Sequence, residues 1–294
     1  SASASASASA SASTSASATQ KATTGKALRN NRVLLLRVMS VEVAQSITSS
    51  MAEEVKGRNR PKIRDFPSRL DKQVNKLKNA TKRYQCQLYE RDTLSKLMED
   101  TLEPLLSLLG VHRAAGVLIQ SEPPTYIHSS RQMFHKDFSP IAFNLHRAAQ
   151  VEAGMASTFP WTVLVMLSSD GWLYILLKDM TIVKVYVPQG VAVLFRGDVL
   201  HAGAAYQHWH MRAHWYLVPK VPGNLGLRTA DDWRQNEDGD VALHDEDPFE
   251  EWSEQSSKVE PTVPSSVVIH VPSECDILTM DSLVTGPSAQ LVKC

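Results

Sequence analysis

From Val111 to Pro219 the chain is a succession of short β-rich runs, and no other feature restricts its fold as strongly. The runs are AGVLI, TYIH, QMFH, IAFNL, WTVLVML, WLYILL, IVKVYV, GVAVLF and HMRAHWYLV, with Pro, Gly, Asp and Ser between them. Segments this short, rich in Val, Ile and aromatic residues and bounded by turn formers, make strands rather than helices. About eight strands in roughly 105 residues fit two small sheets closed on each other, the double-stranded β-helix or jelly roll also found in cupins.

The flanks read differently. Residues 1–26 are almost wholly Ser, Ala and Thr, too poor in apolar surface to offset the entropy of ordering, and are expected to form a disordered low-complexity tail. Residues 27–115 form a basic helical region with a linker. Val33, Leu36, Val43, Ile47 and Met51 suit a helix, although Val33-Leu34-Leu35-Leu36 suits a strand equally well. The proline-containing, basic stretch Gly57 to Arg69 reads as the linker. The apolar spacing from Tyr84 to Leu109 predicts a long helix, capped by Gly110 and broken near Pro104. Residues 116–219 are the β-rich core. Residues 220–294 are an acidic extension, expected to wrap the barrel first and then loosen into a tail. The predicted class is therefore α+β, a jelly-roll core with packing helices ahead of it.

Charge follows the same divisions. Residues 1–100 carry 18 basic and 9 acidic groups, residues 101–219 carry 8 and 7, and residues 220–294 carry 5 and 15, a gradient from +9 through +1 to −10. The zero net charge thus hides a basic head and an acidic tail able to pair with each other. The Lys- and Arg-rich stretch from Lys56 to Lys96 leaves nucleic acid open as a partner, although a solvated helix face explains the same charges. Cys86, Cys275 and Cys294 are far apart and form no C-x-x-C, which argues against a disulfide scaffold or a thiolate zinc site and for a reducing, intracellular setting, cytoplasmic or nuclear. No apolar run is long enough to span a bilayer. The Ser-Ala start lacks Met and the pattern of a signal peptide, so a fragment or processed product is expected.

The chemistry concentrates in two places. Gln132-Met133-Phe134-His135-Lys136-Asp137-Phe138 contains an H-x-D at the end of a short strand, where side chains two apart point the same way. Sixty-four residues beyond Asp137, the strand Val191 to Phe195 and a Gly197-Asp198 turn lead to His201. Two imidazoles and one carboxylate on one face of a metal leave three positions open, the arrangement of non-haem Fe(II) sites. Arg212 follows 11 residues after His201, in a strand that alternates His208, His210, Arg212, His214 and Tyr216. An inward guanidinium there could grip a dicarboxylate through its planar fork.

Other readings compete at several positions. His208, His210 and His214 could form a rival metal cluster, but beside Trp209 and Trp215 they fit an aromatic sheet face. His244-Asp245-Glu246 is another H-x-E, in an acidic loop without strand signal, and reads as a decoy. Asp198 is a turn residue first and a hydrogen-bond partner of a ligand second. Phe134 and Phe138 flank the ligands and serve core packing or the exclusion of water.

Taken together, QMFHKDF, WTVLVMLSSDGWLYILL, VPQGVAVLFRGDVLHAG and the later Arg212 resemble the Fe(II)- and 2-oxoglutarate-dependent dioxygenase superfamily over about residues 116–219. The resemblance implies His135, Asp137 and His201 as iron ligands and Arg212 as the partner of the far carboxylate of 2-oxoglutarate. It further implies oxidative decarboxylation of 2-oxoglutarate to succinate, with O2 consumed and an unidentified substrate hydroxylated. Asp170-Gly171-Trp172 is not followed by Pro-Gly-Ser-His, so no branch is assigned. For the keto-acid end of the co-substrate the candidates are Tyr126, His128 and Arg131. The alternatives are an inactive jelly-roll binding module and a cupin-type metalloenzyme without 2-oxoglutarate, for which Arg212 would be superfluous.

Overall fold

The computed structural model describes residues 24, 26–54, 83–121, 134–138, 151, 159–204, 206, 208–219 and 267–284. Outside them lie most of the expected N-terminal tail, the linker and nearly all of Lys56 to Arg83, the runs TYIH and IAFNL, His244 to Glu246, and the keto-acid candidates Tyr126, His128 and Arg131.

The described elements are β1 (Val33–Arg37), α1 (Val41–Glu54), β2 (Arg83–Gln87), α2 (Thr93–Leu109), β3 (Val111–Ser121), β4 (Trp161–Met166), β5 (Gly171–Leu176), β6 (Ile182–Val187), β7 (Val191–Arg196), β8 (His201–Gly203), β9 (His210–Pro219), β10 (Val268–His270), β11 (Ile277–Leu278) and α3 (Met280–Val284). Among the described residues the strands form two sheets, one ordered β11-β1-β7-β4-β9-β3-β2 and one ordered β10-β6-β5-β8. All neighbours are antiparallel except β1 with β11 and β6 with β10. From β3 onward the chain passes from the large sheet to a bridge at His135 beside β8, back to β4, across to β5 and β6, back to β7, across to β8 and back to β9. Mixed sheets crossed repeatedly in this way, with few helices, fit a double-stranded β-helix. Three strands of the large sheet, β1, β2 and β11, come from outside residues 116–219.

The large sheet is buried on both faces. On its outer face Val163, Val165, Leu194, Trp215 and Leu217 pack under the helices, against Ile47 and Met51 of α1 and Met98, Leu102 and Leu105 of α2. Trp215 lies opposite Gly116 on β3, and a Cβ at Gly116 would come within 2.8 Å of the indole nitrogen, so the glycine makes room for the ring. On the inner face Leu164, Met166, Val193 and Phe195 meet Leu173, Ile175, Val183 and Val185 of the small sheet. Alternation along the strands sends successive residues to these two layers.

Two helical expectations need correction. The predicted helix from Tyr84 is a strand at its start, with Tyr84 paired to Gln120 in the sheet, and α2 begins only at Thr93. Glu54, the last residue of α1, accepts hydrogen bonds from the Thr93 backbone N–H at 3.2 Å and from its hydroxyl, joining the two helices end to start. α2 also runs unbroken through Pro104. The proline is exposed, so the N–H it lacks leaves an unpaired carbonyl where water can reach it, while the buried face opposite stays continuous. Gly110 caps the helix as expected, at φ 64° and ψ 34°, with its N–H on the carbonyls of Leu106 and Ser107. Val33-Leu34-Leu35-Leu36 resolves as strand.

Head and tail meet across β1 and β11. Arg37 pairs with Glu274 at 3.2 Å and Arg29 with Asp276 at 3.5 Å. Among the described residues no helix is long and apolar enough to cross a membrane.

Candidate metal centre

His135 and His201 are brought together by the backbone. They form an isolated antiparallel bridge, with His135 N–H donating to the His201 carbonyl at 2.9 Å and His201 N–H donating back at 3.0 Å. Residues directly opposed across such a pair present their side chains on the same face, and the two rings lie 4.4 Å apart between centroids. Asp137 does not reach them along a strand, as the H-x-D spacing suggested, because the chain bends after His135. It is held by its neighbour instead. Phe138 N–H donates to the Gly197 carbonyl at 3.3 Å, and a Cβ on Gly197 would overlap the Phe138 ring. The glycine of the Gly-Asp turn therefore lets the H-x-D segment lie against the end of β7.

The result is a tight, dry constellation. One ligand atom from each of His135, Asp137 and His201 lies within 4.8 Å of the others, and the residues are 7%, 1% and 3% exposed. His201 Nε2 stands 3.6 Å from Asp137 Oδ2, and His135 Nε2 stands 3.9 Å from Oδ1. His201 Nδ1 lies 3.1 Å from the Val199 carbonyl. Donation to that oxygen puts the proton on Nδ1 and leaves the Nε2 lone pair facing the centre, the second interaction a ligating histidine needs.

Electrostatics agree with a ligand set. Burial alone would raise the Asp137 carboxyl, but His201, His214 and His135 around it outweigh burial and hold it well below the usual carboxylate range. Burial, with Arg212 and His214 contributing, pushes His201 below the ordinary imidazole range in spite of Asp137. An ionised carboxylate and a neutral imidazole are the forms that bind a metal.

Around this centre β9 supplies further polar groups. Arg212 is 3% exposed, and its Nη1 donates to the Tyr206 hydroxyl at 3.4 Å. Tyr206 also donates to the Trp172 carbonyl at 3.1 Å and stacks on His210, with centroids 3.8 Å apart. His214 Nε2 lies 3.3 Å from Asp137 Oδ2. The rival cluster does not form among the described residues: His208 is exposed, His210 lies under Tyr206, and His214 belongs to the Asp137 centre. Asp198 takes Arg196 as its partner, at 2.6 Å for both nitrogens, within the turn. Phe134 and Phe138 are both buried, Phe138 in a small cluster with Ile119, Tyr216 and Val218.

Sequence reasoning missed Thr162, whose hydroxyl donates to Asp137 Oδ2 at 2.6 Å. Its signal was a lone hydroxyl in the otherwise apolar WTVLVM, which turns out fully buried.

No model of a known protein family matches the chain, and no curated protein sequence does. Solved structures similar to it include the non-haem α-ketoglutarate-dependent carbocyclase SnoK from nogalamycin biosynthesis, at 13% identity and TM-score 0.48, covering 66% of this chain and 83% of that one. Others are HygX from Streptomyces hygroscopicus with nickel and 2-oxoglutarate bound, at 11% and 0.44, covering 65% and 84%, and a Pseudomonas putida prolyl-4-hydroxylase, at 11% and 0.41, covering 67% and 97%. Similarity at this level leaves the case for function to the residues of this chain.

Proposed function

We propose that this chain is an Fe(II)- and 2-oxoglutarate-dependent dioxygenase in which His135, Asp137 and His201 hold the iron and Arg212 binds the far carboxylate of 2-oxoglutarate. The observation that carries the reading is the convergence of two imidazoles and one carboxylate, all buried, within 4.8 Å. This donor set, with nitrogen and oxygen ligands on one side and no thiolate, suits iron and leaves positions for a chelating co-substrate. Iron and 2-oxoglutarate held there supply the oxidising power that couples decarboxylation to succinate with hydroxylation of a substrate C–H bond.

The protein's own contribution is positioning and exclusion. The Val199 carbonyl fixes the His201 ring, the His135–His201 bridge fixes the spacing of the two imidazoles, and the Gly197–Phe138 contact sets Asp137. Arg212 shares the inner face of β9 with His214, in a largely dry setting where a planar fork would grip a carboxylate bidentately. Phe138 and Phe195 place aromatic surface at the centre, the latter with its ring 4.5 Å from that of His201, and shield it from bulk water. The substrate is a third molecule of undefined class, and Tyr126, close upstream of the H-x-D segment in sequence, is the candidate for a second co-substrate contact. The test is anaerobic titration of the protein with Fe(II) and then 2-oxoglutarate. A weak visible charge-transfer band that grows to one equivalent is the expected result, and a featureless titration contradicts the proposal.

A further inference from the structure

We infer that Thr162 and His214 form a two-point clamp on Asp137, which commits one carboxylate oxygen to the protein and reserves the other for the metal. The inference rests on the metal reading above. Thr162 Oγ1 donates to Oδ2 at 2.6 Å, and His214 Nε2 lies 3.3 Å from the same oxygen. Among the described residues Oδ1 receives no hydrogen bond, and it faces His135 Nε2 at 3.9 Å. All three members of the clamp are buried, at 0%, 1% and 5% exposure for Thr162, Asp137 and His214.

The sheet register explains how two strands deliver donors to one oxygen. β4 and β9 are neighbours in which Thr162 pairs with Tyr216 and Leu164 with His214. Thr162 and His214 are thus diagonal neighbours on the inner face, near enough for both to meet a carboxylate laid over them. Asp137 arrives there from the bend anchored on Gly197.

The chemical consequence concerns denticity. A carboxylate with both oxygens unengaged can swing to grip a metal through both, which would fill a position that a chelating co-substrate and O2 need. With Oδ2 committed to two donors, Asp137 can offer only Oδ1, and three positions stay open. Donation by His214 requires the proton on Nε2, which fixes its tautomer. Thr162 and His214 are positioning residues: they act through Asp137.

Two measurements test the clamp. In the metal-free wild-type protein, nitrogen NMR of the His214 ring should report the Nε2–H form; the Nδ1–H form overturns the proposal. In the second, Co(II) serves as a probe, and its affinity and visible ligand-field spectrum are recorded for wild type, Thr162→Val, His214→Phe and the conservative Thr162→Ser and His214→Gln. Loss of a group that orients a ligand should weaken Co(II) binding by about 10- to 100-fold in Thr162→Val and His214→Phe, with an altered spectrum. Thr162→Ser and His214→Gln, which keep a donor, should stay near wild type. Thr162→Val is isosteric, so it decides the matter even if His214→Phe misfolds. Wild-type binding with undisturbed variants sinks the clamp alone, and so does a His214→Gln no better than His214→Phe. Absence of Co(II) binding by wild type sinks the metal reading, and the clamp's metal-directed role with it.

Discussion

Alternate residues of β9 live in two unlike environments. Met211, Ala213, Trp215 and Leu217 face the helices and join the larger apolar core, while His210, Arg212, His214 and Tyr216 face the other way. Both sets are buried along the whole strand. Burial therefore does not distinguish them; hydrogen bonding does. The outer set is held by apolar packing, whereas the inner set carries polar groups that bond across the face, Arg212 to the Tyr206 hydroxyl and His214 to Asp137. One face gives stability, and the other gives a constellation of groups positioned for chemistry.

The sharpest way to separate the faces is to remove, in separate variants, the ligands that lie over the inner face and a packing residue of the outer face. Asp137→Ala should abolish stoichiometric binding of Fe(II) or Mn(II), as should His135→Ala, while the apo fold survives because the apolar layers do not depend on the ion. Metal content by elemental analysis checks this, and undiminished content in both variants contradicts it. Trp215→Ala should do the reverse, costing about 3 to 5 kcal/mol of stability by opening a cavity under the helices. Urea unfolding at equilibrium measures the loss; a change under 1 kcal/mol or so would mean that the outer face is not the packing face.

A smaller effect tests the joint between the layers. Gly197→Ala would push against Phe138 and so displace Asp137, which should cost about 1 to 3 kcal/mol and weaken metal binding at the same time. If stability falls and metal affinity does not, Gly197 supports the barrel end without setting the ligand.

The mildest expectation concerns pH. Burial holds folded His201 below the ordinary imidazole value near 6.5. Between the two values the unfolded chain binds the extra proton, so stability rises with pH there and is lost as pH falls. The metal-free protein should weaken from pH 7 to 5 by at most about 1.4 kcal/mol per pH unit from this group. Asp137, shifted downward, contributes stability that is present above about pH 4 and is lost only in stronger acid. His201→Gln should flatten the slope between pH 5 and 7 in urea titrations, and an unchanged slope contradicts the assignment.

The β-rich core was legible because strand runs between breakers are a local signal, and the ligand types because two short motifs carry them, although Asp137 reaches the centre through a bend and not along a strand. What escaped the sequence depends on register. Thr162 and His214 become partners of Asp137 only once β4 and β9 pair with a fixed offset, which no spacing along one strand reveals. By spacing, His208, His210 and His214 form one aromatic face, yet His208 lies in solvent ahead of β9, His210 under Tyr206 and His214 against Asp137. Tyr84 and Leu88 looked helical because their spacing happened to continue that of α2, and the pairing of β2 with β3 overrode it. Pro104 looked like a break, but a helix whose proline faces water can keep its buried side intact.

The central claim is that the inner face of β9 binds a dicarboxylate beside a metal, and Arg212→Leu tests it most directly. Iron content, 2-oxoglutarate affinity and succinate formation are measured on the same sample. The expected result is full iron content with co-substrate affinity reduced by about 2 to 5 kcal/mol, some 30-fold to several thousandfold, and succinate formation lost with it. Arg212→Lys should recover part of the affinity, because it restores charge without the fork. Retained iron with unchanged 2-oxoglutarate affinity and succinate formation would contradict the claim.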